Sequence, residues 1–261
     1  MARIYPLFSS SKGNSTFIGT EKGGFLIDCG VSFKRLSAAL EVNNIPLTAV
    51  QAVFITHEHS DHISGLKMLT KHTGIPVYGT KRTLQRLCDT DKISPNSPVI
   101  DMIGKSISCA GHELSCFSTP HDAIQSCGYR IATDDGKVCA VCTDVGHITP
   151  EVASALEGCR FVLIESNYDE GMLRHGSYPI YLKERILSPI GHLSNNDCGV
   201  QVKRMIERGT THILLGHLSP ENNTPDIAYS TVRSHLGGAV SGRDYIMGVA
   251  PMETQGGAVI F

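Results

Sequence analysis

The stretch Phe54-Ile-Thr-His57-Glu-His59-Ser-Asp61-His62-Ile-Ser-Gly65-Leu66 places three histidines and an aspartate within six residues. Side chains that close in sequence diverge on a helix or strand, so four strong ligands converge only where the backbone leaves regular structure. The apolar run Ala52-Val53-Phe54-Ile55 predicts a strand ahead of the loop. Gly65-Leu66 with Met68 and Leu69 predicts a helix behind it, running to about His72. A strand–loop–helix passage with imidazoles and a carboxylate fanned about it suits one or two metal ions.

The rest of the composition limits the partners. With 23 basic against 25 acidic residues the formal charge is -2, so no global basic field draws in nucleic acid or an anionic membrane. This weighs against a tight non-specific nucleic-acid binder, but not against an enzyme whose cations are confined to a cleft. Nine cysteines are scattered, mostly within apolar runs where a reduced thiol behaves as a small hydrophobe. Cys139-x-x-Cys142 is compatible with half a zinc site, but it alternates like a strand and no second pair follows, which favours buried thiols. The first residues read as a strand rather than a signal peptide, and no apolar run reaches membrane length. We therefore expect a reduced, cytoplasmic protein with no membrane association, and 261 residues are enough for one large domain or two small ones.

Periodicity predicts strands at 4–8, 16–19 and 24–28, with a small-residue loop at 9–15 between the first two. A helix is expected at 33–40, a strand at 75–78, a helix at 80–88, and a succession of strands from 99 to 142. Thr149-Pro150-Glu151 opens a helix to Leu156 in good capping style. Strands follow at 160–165 and 212–216, helices at 178–187, 194–208 and 226–236, and closing strands at 244–249 and 258–261. This order indicates an α/β protein with helices packed outside sheets.

The remaining strong ligands fall at strand ends. Asp28 ends one strand, and His121, Asp144 and His217 each come just after another. With the histidine loop they supply six or seven ligands on one rim of a sheet structure, enough for two metals.

This set, His57-x-His59-x-Asp61-His62 with His121, Asp144, His217 and the preceding Asp28, resembles the metallo-β-lactamase superfamily over nearly the whole chain. The resemblance implies a single domain over 1–261 folded as an αββα sandwich, two mixed sheets with helices on the outer faces, and a two-metal site at one edge. It implies that His57, His59 and His121 hold one ion, that Asp61, His62 and His217 hold the other, and that Asp144 bridges them. Asp28 is then expected to orient ligands by hydrogen bonding. Aspartate stands where lactam-cleaving members carry a bridging cysteine, so the all-His/Asp set suits two divalent ions, zinc or manganese. The short interval from Asp144 to His217 leaves no room for the inserted cap domain of RNA-cleaving and crosslink-repair relatives.

More narrowly, the chain is similar to the bacterial YycJ (WalJ) family. The carrying motifs are Ser9-Ser-Ser-Lys-Gly13-Asn14-Ser, Thr56-His-Glu-His-Ser-Asp-His62, Ser118-Thr-Pro-His121-Asp122 and Thr143-Asp144-Val-Gly146. Further on come Glu165-Ser-Asn167-Tyr-Asp169, Met172-Leu-Arg174-His-Gly176-Ser-Tyr-Pro179, Gly191-His192-Leu-Ser194-Asn195 and Gly216-His217-Leu-Ser219 with Asn222-Asn223. Lys12 is the clearest departure, since the family has a small residue there. The resemblance implies 5′-to-3′ exonuclease action on double-stranded DNA, at duplex ends or nicks in a repair setting, with no obligate protein partner evident.

Chemistry supports phosphodiester hydrolysis independently. Two divalent ions sharing a hydroxide supply a nucleophile and neutralise transition-state charge, with Asp61 beside that nucleophile. His192 is the candidate for helping the leaving group, because it precedes a helix start whose free N–H groups favour an anion. A capping-region histidine is the alternative, and His192 also competes with His217 for the second metal. Candidate substrate contacts are Ser194 and Asn195 at that helix start, Ser11, Gly13 and Asn14 in the first loop, and Asn167, Arg174 and His175 after the 160–165 strand. Two other readings stay open: a small-molecule or cyclic-nucleotide phosphodiesterase, and a cell-wall signalling regulatory partner with a vestigial site.

Overall fold

A computed structural model describes residues 2–20 and 22–260. Met1 and Phe261, at the outer ends of the first and last expected strands, lie outside the described residues. One sheet contains β1 (Arg3–Ser10), β2 (Gly13–Thr20), β3 (Gly23–Ile27), β4 (Val50–Phe54), β5 (Val77–Gly79) and β6 (Val99–Asp101) in that order, with β14 (Val259–Ile260) beside β1. The other contains β7 (Ile107–Cys109), β8 (His112–Ser118), β9 (Cys127–Ala132), β10 (Val138–Cys142), β11 (Phe161–Glu165), β12 (His212–Gly216) and β13 (Ile246–Val249). In both, an antiparallel portion passes into a parallel one: β3 to β6 run parallel, as do β10 to β13.

The helices are α1 (Phe33–Val42), α2 (Ser60–Ile63), α3 (Leu66–Thr73), α4 (Lys81–Asp89), α5 (Pro150–Leu156), α6 (Glu170–His175), α7 (Ile180–Leu187), α8 (Asn195–Glu207) and α9 (Pro225–Ser234). Three apolar layers follow from strand alternation. Ile18, Phe25 and Phe54 of one sheet meet Tyr129, Val141 and Leu163 of the other in the middle layer. Leu36 and Leu40 of α1, Leu69 of α3 and Leu87 of α4 cover the first sheet's outer face. Val152 of α5, Val202 and Met205 of α8 and Val232 of α9 cover the second. The result is the αββα architecture expected from the sequence, with no inserted cap among the described residues.

This packing also decides the cysteine question. Cys139 faces the middle layer and Cys142 the helix-covered face, so the pair points to opposite sides of β10 as two buried thiols.

The rim of the sandwich is where ligands gather because β3, β4, β10, β11 and β12 all end there, and β8, antiparallel to β9, ends there too. The strand beneath the histidine loop is rigidly held. Phe54 stacks on Tyr78 at 4.6 Å and meets Phe25 and Tyr129 edge-on at 5.1 and 5.7 Å. Beyond it, Tyr129 Oη donates to the Ile55 carbonyl at 2.6 Å.

Three local expectations are corrected. Ser9, Ser10 and Gly13 to Ser15 are strand residues paired across a two-residue turn at Ser11-Lys12, because small side chains here allow close pairing rather than requiring a loop. The helix after the histidine loop is two pieces, α2 and α3, broken where Gly65 donates its N–H to the Cys29 carbonyl instead of continuing the helix. A sixth helix, Glu170–His175, was not anticipated; Asp169 caps it by accepting from Met172 N at 2.8 Å.

Candidate metal centre

Each ligand is aimed by a backbone feature at a strand end. Asp28, Asp144 and His217 take positive φ values of 62°, 56° and 55°, left-handed conformations that cost non-glycine residues energy and gather at functional sites. The turn throws each side chain back over the rim. The four-residue α2 turns Asp61 and His62 inward after the irregular segment that ends at the extended His59.

The donor atoms fall into overlapping groups within 4.8 Å of one another. His57, His59 and His121 form one, Asp61, His62 and His217 another, and Asp144 joins His57 and His62. His62 Nε2 lies 3.2 Å from Asp144 Oδ2 and 3.5 Å from Asp61 Oδ2. His217 Nε2 is 3.5 Å from Asp61 Oδ2 and 3.6 Å from Asp144 Oδ1.

Outer hydrogen bonds set the tautomers. His62 Nδ1–H donates to Asp28 Oδ2 at 2.8 Å, and Thr56 donates to Asp28 through N at 2.8 Å and Oγ1 at 2.9 Å. His121 Nδ1–H donates to the Gly191 carbonyl at 2.9 Å. Both His217 and His192 donate Nδ1–H to Glu165 Oε1 at 2.7 Å, and Val145 N and Leu193 N occupy Glu165 Oε2. Carboxylates and carbonyls only accept, so each Nδ1 carries the proton and leaves Nε2 as the ring's free lone pair.

Whether these residues fit a cation can be tested on their unsatisfied atoms. His57 Nε2, His217 Nε2 and Asp144 Oδ2 are buried without hydrogen-bond partners, a costly arrangement unless something positive sits between them. Electrostatics agree. Burial holds the His57 and His121 rings below their usual pKa, leaving neutral imidazoles suited to ligation. Burial also opposes a charged His62, yet Asp144, Asp28 and Asp61 overcome it and raise its pKa well above normal. The same contest, against Asp144, Asp61 and Glu165, pushes His217 up to about 10. The carboxylates thus demand positive charge at these positions, and divalent ions satisfy that demand as well as protons do. The centre fits divalent metal binding.

Glu165 was quoted in the sequence only as part of a motif, with no role assigned. It is fully buried, and although burial would raise its carboxyl, His192 and His217 hold it down to about 2. The signal was available, since Glu165 is one more acid ending an apolar strand, as Asp28, Asp144 and His217 mark others.

The expected substrate contacts scatter. Asn14 is at the centre: its Nδ2 lies 3.1 Å from His62 Nε2 and 3.5 Å from Asp61 Oδ2. Gly13 is buried beside it, and Ser11 sits in the adjoining turn with its N–H on the Leu218 carbonyl. Asn167 Nδ2 donates to the His217 carbonyl at 2.8 Å. Ser194 and Asn195 are each only 1 % exposed. Ser194 caps α8 through Asp197 N, Asn195 N donates to the Tyr168 carbonyl, and the Asn195 amide is bound by Ser166 and Asn223. Their N–H groups and side chains therefore build the frame of α8 instead of the open anion site expected there. Arg174 and His175 are exposed on α6, with no hydrogen bond or ion pair to the cluster among the described residues.

Comparison with known proteins is consistent with this geometry. The beta-lactamase superfamily domain matches residues 24–215. The chain is 37% identical over 234 residues to the exodeoxyribonuclease WalJ of Streptococcus pneumoniae, covering 88% of this chain and 86% of that protein. It is 33% identical over 231 residues to the exodeoxyribonuclease YycJ of Bacillus anthracis, covering 88% and 87%. In fold it resembles the metallo-beta-lactamase fold protein YhfI of Bacillus subtilis, with a TM-score of 0.74 at 16% identity over 97% of each chain. It also resembles zinc-bound PqqB of Methylobacterium extorquens, with a TM-score of 0.71 at 15% identity over 100% of each.

Proposed function

The chain belongs to the beta-lactamase superfamily, and within it to the family of the WalJ and YycJ exodeoxyribonucleases; from this we propose that it is a metal-dependent 5′-to-3′ exonuclease acting on duplex DNA ends or nicks in DNA repair. The observation that carries the reading is the convergence of free, buried imidazole Nε2 atoms and carboxylate oxygens on one rim, with His192 poised beside them.

In this proposal His57, His59 and His121 would hold one divalent ion and Asp61, His62 and His217 a second, with Asp144 among the residues that would hold both. Zinc and manganese both suit this donor set. Such ions polarise a phosphoryl oxygen and lower the pKa of coordinated water. Asp61, at the mouth with its side chain 23% exposed, accepts a hydrogen bond from the attacking water and orients it toward phosphorus. Glu165 accepts the Nδ1–H of His192 and so orients the ring, which in its doubly protonated form carries a second proton on Nε2 to give to the departing sugar oxygen. Asn14, directed at Asp61 and His62, supplies an amide N–H for a non-bridging phosphate oxygen. The chain forms one domain over 1–261 in this reading and works in the cytoplasm; no helix among the described residues is long and apolar enough to cross a membrane.

End-labelled duplex, incubated with protein loaded with manganese or zinc, should release nucleotides from its 5′ ends. His59→Ala protein should stay folded and inactive. Intact label with loaded wild-type protein would refute the proposal, and rapid hydrolysis of cyclic nucleotides without action on DNA would replace it with a small-molecule phosphodiesterase.

A further inference from the structure

The α6–α7 hairpin lies in sequence between Glu165 and His192, so its ends are tied to the metal rim. It stands on a small core of its own, Tyr168, Leu173 and Ile186, with Leu182 packed against it. Lys183 Nζ locks the hairpin by donating to the carbonyls of Arg174 and Gly176 at 2.8 and 2.7 Å. Two features of α7 remain unexplained by packing. Ile180 and Tyr181 are 74% and 73% exposed, a large apolar and aromatic surface left in water next to a catalytic rim. One turn further, Arg185 uses Nε and Nη2 to grip both oxygens of Asp122. Asp122 Oδ1 is in turn 3.3 Å from His121 Nε2, so the guanidinium sits at the edge of the metal centre.

Residues four apart share a helix face, so Tyr181 and Arg185 stand side by side on α7. The two bonds to Asp122 hold the guanidinium plane still, and no partner occupies its Nη1 among the described residues. A rigid, half-exposed guanidinium with free donors is preorganised for a phosphate oxygen. A phenol ring one turn away is placed for the base attached to that phosphate, because every base offers a π-face. Arg174 is an exposed cation on the neighbouring α6, and Glu184 beside Arg185 is an exposed carboxylate of α7.

We propose that α7 is the DNA-end platform of this protein: Arg185 binds a backbone phosphate next to the scissile one, and Tyr181, flanked by Ile180, stacks on the terminal base. The proposal rests on the exonuclease reading for its ligand. Asp122 is a positioning residue that holds Arg185 rather than touching DNA.

The test uses metal-free protein, so that binding is read without hydrolysis, and a duplex carrying 2-aminopurine at its 5′ end. Wild-type protein should quench the fluorophore by stacking. Tyr181→Ala should abolish the quenching and weaken duplex binding by about tenfold, while Tyr181→Trp restores both. Arg185→Gln should weaken binding and flatten its salt dependence, since one phosphate contact is lost. Equal quenching and affinity in wild type and Tyr181→Ala would overturn the proposal. So would a drop from dimer to monomer in Tyr181→Ala by light scattering with DNA affinity unchanged, which would assign the surface to self-association. Hydrolysis of labelled duplex by metal-loaded wild type is measured separately: binding that depends on Tyr181 without hydrolysis refutes the nuclease reading alone, and hydrolysis indifferent to Tyr181 refutes the platform alone.

Discussion

Replacing Glu165 by glutamine is the sharpest single probe of the centre, because it removes a charge without changing volume. In the wild type, Oε1 accepts from two imidazole Nδ1–H groups and Oε2 from two backbone N–H groups, four donors on one fully buried carboxylate. An amide has a single accepting oxygen. If that oxygen faces the histidines, its NH2 opposes Val145 N and Leu193 N. If it faces the backbone, the NH2 opposes both Nδ1–H groups and drives His217 and His192 to the tautomer with the proton on Nε2. The first orientation orphans two buried backbone donors, at about 1–3 kcal/mol each, so it should cost about 2–6 kcal/mol of stability. The second orientation instead removes the metal-facing lone pair of His217 and the free Nε2 of His192. Metal affinity should fall about 10–100-fold, as it does when an outer hydrogen-bond partner of a ligand is lost. Denaturant unfolding of metal-free protein reads the first effect, and competition titration with a chelator reads the second. Glu165→Asp, which keeps the charge, should recover metal affinity in part. Wild-type metal affinity in Glu165→Gln would refute the argument that this carboxylate sets the tautomers.

Four further outcomes are expected. Asp28→Ala orphans Thr56 N and leaves Thr56 Oγ1 as the remaining neighbour of His62 Nδ1 at 3.3 Å, and should cost about 1–3 kcal/mol in denaturant unfolding, with sub-stoichiometric metal by elemental analysis. Gly30→Ala would bring a Cβ to 1.6 Å from the Asp61 carbonyl, so unfolding and activity measurements should show stability and turnover falling together; unchanged turnover would contradict it. Removing metal with a chelator should lower the melting temperature by about 5–10 °C, as expected for a ligand present at about a hundred times its dissociation constant. Finally, His112 is buried against Phe25 with neither ring nitrogen hydrogen-bonded, and burial lowers its pKa despite Asp134 and Asp135. Its folded pKa lies below its unfolded one, so the unfolded chain takes up the proton first and stability drops as pH falls below about 6.5. His112→Leu should flatten that dependence by up to about 1.4 kcal/mol per pH unit, measured as the difference in unfolding free energy between wild type and variant.

The sequence by itself determined the ligand inventory and most elements. A cluster as dense as His57 to His62 has few uses besides metal, and alternating apolar runs mark strands because their period is local. That Asp28, His121, Asp144 and His217 follow strands was likewise readable, and so was their shared rim, since parallel strands end on a common edge. What the sequence could not show was decided between residues far apart in the chain. Glu165 carries His192 and His217 only because β11 lies between β10 and β12, and because Leu193 returns its N–H to the same carboxylate. The left-handed turns at Asp28, Asp144 and His217 carry no glycine to announce them; surrounding packing imposes them. Asn195 looked like a free group at a helix start and is instead tied to Ser166 and Asn223, and nothing in the sequence distinguishes Tyr181, which the structure leaves in water. Composition and period are properties of neighbours in sequence, whereas hydrogen-bond partners and exposure are properties of neighbours in space. The histidine loop therefore announces a metal centre, and the sandwich decides which nitrogen of each ring faces it.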